Sequence, residues 1–415
     1  MKKNMVAIGV ILLLFLSWQY GNEISGVEND GSGGKLELYS ETSLEIITRG
    51  HDSHLAPSYS VSGNWTIDPS LPSGMRFFEE GQIVDGTAID SSSGLVCVIA
   101  SNGGIVCWEM VEGTESSLSW PFGVDFAREN SGSFTGVAVG GEHICGIFKS
   151  VEKSKIFCVG SNSRGQLGQG YVTGSSTAVE VSVPEGGGFG WDDVATGDSH
   201  SCAISDLRRV YCWGLGSNGQ IGDGDFSDEL LPARVEFGEG IDIIGISSGE
   251  HHNCATDNSG GLHCWGWNGW GQIGDGTFND RNVPVLVQTL ENEDLGVPFL
   301  SGRTSCSISK SMVPYCWGEG ALIASNLSQL SGVNEPYLVP NYTGISRVSI
   351  GHGKICFIGE SSITGCPDLE LIGIESFSFE SISIGLGYLC GISANESISC
   401  YSWGESNVGT FSTPY

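Results

Sequence analysis

The chain is 415 residues long and carries 48 acidic against 18 basic residues, a formal charge of −30. Such a surface repels phosphate backbones and excludes nucleic acid as a partner. Fourteen cysteines fall into seven pairs with none left over, a usage that belongs to an oxidising compartment.

The chain opens Met1-Lys2-Lys3-Asn4 and runs apolar from Met5 to Trp18. A basic start before a short apolar stretch reads as a secretory signal, and the stretch is shorter than the ~20 residues of a bilayer span. No small-x-small cleavage site stands between Ser17 and Gly21. An uncleaved signal anchor is therefore the alternative for residues 1–21, and the one route to a membrane. Residues 22–35 are a glycine-, serine- and acid-rich flexible linker. Residues 36–89 alternate like strands, as in Leu44-Glu-Ile-Ile47. Their second half pairs Pro69-Ser-Leu-Pro-Ser-Gly-Met75 with Gly81-Gln-Ile-Val-Asp-Gly-Thr87. This resembles the immunoglobulin-like modules of bacterial and archaeal surface proteins, which implies a small β-sandwich. The rival reading makes Met75–Val84 a strand that closes the ring of the following domain.

Residues 90–415 repeat. The pairs are Cys97/Cys107, Cys145/Cys158, Cys202/Cys212, Cys254/Cys264, Cys306/Cys316, Cys356/Cys366 and Cys390/Cys400. Within most pairs lies a turn former such as Asp206 or Asn258-Ser259-Gly260-Gly261, a β-hairpin signature. With the turn centred near Leu207 or Ser259, the two cysteines oppose each other across antiparallel strands, within disulfide reach. Gly140, Gly197, Gly249, Gly351 and Gly385 stand five residues before the first cysteine, and Ser92 and Ser301 take that place in two copies. Three copies continue with Gly165-Gln-Leu-Gly168, Gly219-Gln-Ile-Gly222 and Gly271-Gln-Ile-Gly274, and two of them then carry Pro232 and Pro284 in β-rich runs. About four short strands per unit predict an all-β chain, a seven-bladed β-propeller with one cross-strand disulfide per blade.

The Gly-x4-Cys, Tyr/His-Cys-Trp-Gly and Gly-Gln-Ile-Gly-Asp-Gly motifs resemble the regulator-of-chromosome-condensation repeat family, whose fold is a seven-bladed propeller. Paired cysteines point to its secreted members. The guanine-nucleotide exchange and chromatin binding of the family's nuclear member are not expected of an acidic, exported chain.

No catalytic constellation emerges. Gly214-Leu-Gly216-Ser-Asn-Gly219 matches a dinucleotide fingerprint but lies between strands. His143, His200 and His252 sit beside cysteines and read as packing residues rather than zinc ligands. The Asp223–Asp228 and Asp275–Asp280 turns could offer oxygens to calcium, but Asp-Gly is ordinary turn chemistry, so no cofactor or metal is assigned. The candidate binding loop is Trp267, Asn268 and Trp270, where aromatics replace Leu215 and Asn218 of the preceding copy. The expectation is a non-enzymatic binding module, secreted or at the cell surface, presenting loops to an extracellular protein or glycan. A structural envelope component and a polysaccharide-active enzyme are the alternatives.

Overall fold

The computed structural model describes residues 53–54, 75–76 and, with interruptions, 89–412; the longest interruptions are 119–130, 320–331 and 367–378. The signal or anchor, the linker and most of the expected sandwich lie outside the described residues. Residues 1–81 group apart from 82–413, and of the former only Ser53–His54, paired in parallel with Met75–Arg76, is described. Met75–Arg76 thus belongs to its own two-stranded sheet. The fourth strand of the last repeat is Thr410–Ser412, paired with Ile398–Ser402. The rest of Met75–Val84, read from the sequence as a possible closing strand, lies outside the described residues.

From residue 89 the chain builds successive antiparallel meanders. Alternation of apolar and small residues gives each first and second strand one face toward the preceding sheet and one toward the next. The third sheet runs Trp191–Thr196, His200–Ser205, Val210–Gly214, Glu229–Arg234. The first strand of every sheet touches the first strand of its successor, and Phe379–Gly385 of the last returns to Ile89–Ser92 of the first. The result is a β-propeller.

The spacing predicted seven equivalent blades. Five sheets carry the complete pattern, four strands with a register shift between the first and second: those starting at Gly132, Trp191, Ile243, Leu295 and Phe379. The sheet starting at Ile89 has unbroken register there, and its fourth strand, Thr114–Leu118, folds straight back on Ile105–Val111. The sheet starting at Arg347 has three strands among the described residues, the third being Ile363–Gly365. The complete-blade count is five, not seven.

Cysteine pairing follows the predicted register. Across second and third strands Cys97 faces Cys107, Cys145 faces Cys158, Cys202 faces Cys212, Cys254 faces Cys264 and Cys306 faces Cys316. With Cys356–Cys366 these make six disulfides whose Cα atoms stand 4.0–4.2 Å apart. Cys390, also disulfide-bonded, stands opposite Cys400. The longer spacing of Cys145 and Cys158 leaves their register intact, because the extra residues extend the hairpin to Lys149 and Ser154 beyond the bridge.

A second device joins one sheet to the next. The Gln166, Gln220 and Gln272 carbonyls, in the loop after each third strand, accept from Trp213, Trp265 and Trp317 Nε1–H of the following sheet at 2.8–3.0 Å. Each carbonyl also accepts from the residue before that sheet's first cysteine: Ser201 Oγ, Asn253 Nδ2 and Ser305 Oγ. His143, His200 and His252 complete the contact through Nε2, to Ser201 Oγ, Asn253 Oδ1 and Ser305 Oγ at 2.8–2.9 Å. Because each serine hydroxyl donates to a glutamine carbonyl and Asn253 turns its amide nitrogen to Gln220, these oxygens accept. The histidines therefore carry their proton on Nε2.

The glycine five residues before each first cysteine now has a cause. A Cβ on Gly140 would lie 2.6 Å from the His143 ring, and Gly197 and Gly249 meet His200 and His252 in the same way. In the fifth repeat the pair is Ser301 with the smaller Thr304.

Burial holds His143 at about 3, with His200 as the second cause, His200 at about 4, and His252 at about 3. Their Nδ1 atoms are buried without a partner, so a second proton would bring both charge and an unmatched donor. The unfolded value is about 6.5. Between it and the folded values the unfolded chain binds more protons, so this contribution is full above pH 6.5 and is lost as pH falls toward 3. Asp90 and Asp193, raised to about 6 chiefly by burial, act in the opposite sense, so a variant comparison isolates the histidines. Gly249→Ser with His252→Thr, the fifth repeat's own pair, should flatten the fall in unfolding free energy between pH 6.5 and 4 while lowering stability at pH 7; parallel urea titrations measure both. Removing one bridge, Cys202→Ala with Cys212→Ala, should cost about 2–3 kcal/mol in the same assay.

Candidate functional site

The loops that follow the third strands are built on glycines the backbone requires. Gly165, Gly219 and Gly271 have φ of +86°, +80° and +83°, and a Cβ on them would strike the outermost strand of the next sheet. Gly168, Gly222 and Gly274 lie against the next sheet's tryptophan indole. Between them Leu167, Ile221 and Ile273 are fully buried, and the glutamine Oε1 atoms accept from the backbone N–H groups of Arg164, Asn218 and Trp270. The loop is therefore a fixed scaffold, locked to its neighbour.

In the fourth sheet this scaffold presents Trp267 and Trp270, both half-buried. The Arg303 guanidinium, from the turn between the first two strands of the fifth sheet, stands over both indoles, 5.5 Å from one centroid and 5.8 Å from the other. Glu250 approaches Arg303 Nε at 3.5 Å, and the His251 ring meets Trp267 edge-on at 6.0 Å. Backbone bonds fix the turns: Trp267 N–H donates to His251 O and Glu250 N–H to Gly302 O. Arg303 is 41% exposed, and Glu250 is its one ion-pair partner among the described residues. Two indoles and a partly solvated guanidinium thus share one small surface bridging two sheets, a cation–π cluster. From the sequence, Trp267 and Trp270 were expected as exposed loop aromatics. In the structure each indole has the guanidinium over its face.

Asn268 has a different part. It is fully buried. Its Nδ2 donates to Thr277 O and Asn279 O, its Oδ1 accepts from Ile273 N, and its own N–H donates to Asp280. Asn162 makes the matching set in the second sheet, to Tyr171 O, Thr173 O and Leu167 N. Both asparagines grip the carbonyls on either side of one residue, Phe278 or Val172, whose side chain is left exposed. Those apolar tips were missed in the sequence. The available signal was an apolar residue at one fixed offset in loops otherwise made of Gly, Asp, Asn, Ser and Thr.

The cysteines lie away from this surface, inside the sheets. Cys97 and Cys107 are buried with Ile105 and Val98, Cys145 and Cys158 with Ile156 and Trp191, and Cys306 and Cys316 with Val348 and Phe357. Cys202, Cys212, Cys254, Cys264, Cys356 and Cys390 are fully buried too, and Cys366 is half-buried. Their part is to hold the sheets on which the loops stand, and those bridges offer a partner no surface.

The carboxylates considered for calcium hold the turns. Asp225 accepts from Ser227 N, Asp228 from Gly216 N, and Asp275 from Thr277 N and Arg281 Nε. Among the described residues no three metal-ligating side chains converge, and the cysteines beside the histidines are in disulfides.

The pattern described as the regulator of chromosome condensation (RCC1) repeat matches residues 153–204, 209–256 and 259–300, and a second pattern of that description matches 191–220. The ultraviolet-B receptor UVR8 of Arabidopsis thaliana is 31% identical over 206 residues, 49% of this chain and 45% of that protein. The chain spans less than half the length of the curated relatives it matches. Yeast RCC1 (Prp20), crystallised bound to Kap60, superposes with a TM-score of 0.52 at 14% identity, over 76% of this chain and 69% of that one. The CRINKLY WD40 ectodomain of the Arabidopsis thaliana receptor kinase ACR4 gives 0.51 at 18% identity, over 79% and 98%. At those identities the likeness to the two solved structures is one of fold. The repeat matches fall on the stretch that carries the glycine, glutamine and tryptophan contacts of the loops: residues 153–300 are similar to RCC1 repeats, and the likeness to the solved structures is that of a propeller fold.

Proposed function

We propose that this propeller is a non-enzymatic, exported protein-binding platform whose contact surface is centred on Trp267, Trp270 and Arg303. The observation that carries the reading is the cluster itself. Tryptophan and arginine dominate binding hot spots, because they bury a large contact area at small conformational cost. Here they are pre-positioned by loops that cannot relax. A protein partner is favoured over a glycan because the guanidinium stands over both indole faces, the surfaces a sugar ring would stack on. Protein binding also has a precedent in the fold, Prp20 with Kap60. Export is supported by the basic-then-apolar N-terminus and by cysteines that are all paired.

Trp267→Ala with Trp270→Ala should abolish capture of an extracellular partner by the immobilised chain, an affinity loss of about 30-fold or more. The melting temperature should stay within a few degrees of the parent. Retained capture by a folded double variant would remove this surface from the function. Arg303→Gln should weaken capture through lost pairing and Arg303→Lys by less.

A further inference from the structure

A second surface lies on the same loops. Val172, Phe226 and Phe278 occupy one structural position in three consecutive sheets, and they are 54%, 51% and 49% exposed. Leu231 and Val283, at the start of the outermost strands of the third and fourth sheets, are exposed between them. Each loop is bonded to the next outermost strand at that point. Gly170 N–H donates to Leu230 O, Gly224 N–H to Asn282 O and Gly276 N–H to Asn334 O. Asn282 and Asn334 return bonds to the Gly224 and Gly276 carbonyls at 2.6–2.7 Å. The five side chains therefore form an arc with fixed spacing. Asparagine brackets hold Val172 and Phe278 outward, Asp225 accepts from Ser227 N beside Phe226, and Asp228 ties that turn to Gly216 N at the start of the loop. Energy is spent keeping large apolar groups in water, which marks an interaction surface.

The surroundings decide what fits. Asp223, Asp225, Glu229 and Asp280 have no ion-pair partner among the described residues, whereas Asp228 meets Arg164 and Asp275 meets Arg281. Glu229 is pushed up by burial and by the charges of Asp223 and Asp225, the signature of crowded negative charge. Chemical complementarity to an apolar row edged with carboxylates is an apolar row edged with cations. We infer that the Val172–Phe226–Phe278 arc docks a cationic amphipathic segment of a partner protein, which sets one apolar side chain against each successive sheet. The tryptophan cluster is not required for it.

The probe is an 18-residue peptide of leucine and lysine in amphipathic helical order, read by fluorescence anisotropy against the full chain. Control peptides replace every leucine with serine, or every lysine with glutamate. The leucine/lysine peptide should bind at least 10-fold tighter than either control. Phe226→Ser with Phe278→Ser should remove that advantage without changing the melting temperature, because both side chains are exposed. Hydrogen-exchange protection by the peptide should fall on 170–174, 223–231 and 275–283, and Trp267→Ala with Trp270→Ala should leave it intact. Equal binding of the lysine/serine peptide, or protection on 267–270 and 303 instead, would overturn the assignment. So would self-association of the parent chain that the phenylalanine variant abolishes, because the arc would then be covered by a second copy.

Discussion

One backbone carbonyl in each of three consecutive repeats carries the joint between sheets. Gln166, Gln220 and Gln272 each turn the carbonyl toward the following sheet, where an indole N–H and a serine or asparagine side chain both reach it. Both donors are fully buried, so leaving any of these groups unmatched would cost about 1–3 kcal/mol. That is several times the worth of an exposed pair, and it fixes how far each sheet rotates against the last. Everything on the loop face inherits this geometry. The glycines beside the glutamine are glycines because the neighbouring sheet already fills the space a Cβ would need.

The joint is not uniform round the ring. It runs from the second sheet to the fifth. Where the last, first and second sheets meet, an apolar cluster takes over, with Ile105, Phe134, Phe148, Val159 and Ile392 in contact. Tyr388 stands where the histidines stand elsewhere; its hydroxyl donates to Leu95 O of the first sheet, and Ser91 Oγ meets Ser383 Oγ. Among the described residues, closure uses side-to-side packing and two hydroxyl bonds. Apolar contact tolerates variation in angle that a doubly used carbonyl does not. The sheet with unbroken register and the three-stranded one sit in or beside this more permissive half.

How legible all this was in the sequence depended on whether a feature is periodic. Cysteine register was readable, because a hairpin with its turn at the midpoint must bring the two ends opposite each other. Complete blades were overcounted, because neither a register shift nor the number of strands described in a sheet alters cysteine spacing. Asn268 was assigned to the binding loop for a simple reason. A polar residue between two tryptophans in a glycine-rich turn looks solvent-facing, and only the fold shows its amide spanning two carbonyls. The matching Asn162 was a usable clue, and so was the switch from Gly249 and His252 to Ser301 and Thr304, a compensating change in one packed contact.

The composition itself follows from the loops. A turn rich in glycine exposes backbone N–H groups with no strand to receive them, and buried or half-buried donors need acceptors. Short carboxylates supply these acceptors. Asp206 takes Gly190 N, Asp257 takes Ser259 N and Gly261 N, Asp280 takes Asn268 N, and Asp90 reaches across to Val139 N of the next sheet. Aspartate is therefore part of the loop architecture and travels with the 63 glycines. A negative surface is the unavoidable result wherever these turns gather. On the face that carries the tryptophans and the apolar arc, that field raises the encounter rate with cationic partners and repels anionic ones before any contact forms. Selectivity of charge on this face thus arises from the same hydrogen bonds that hold its loops in shape.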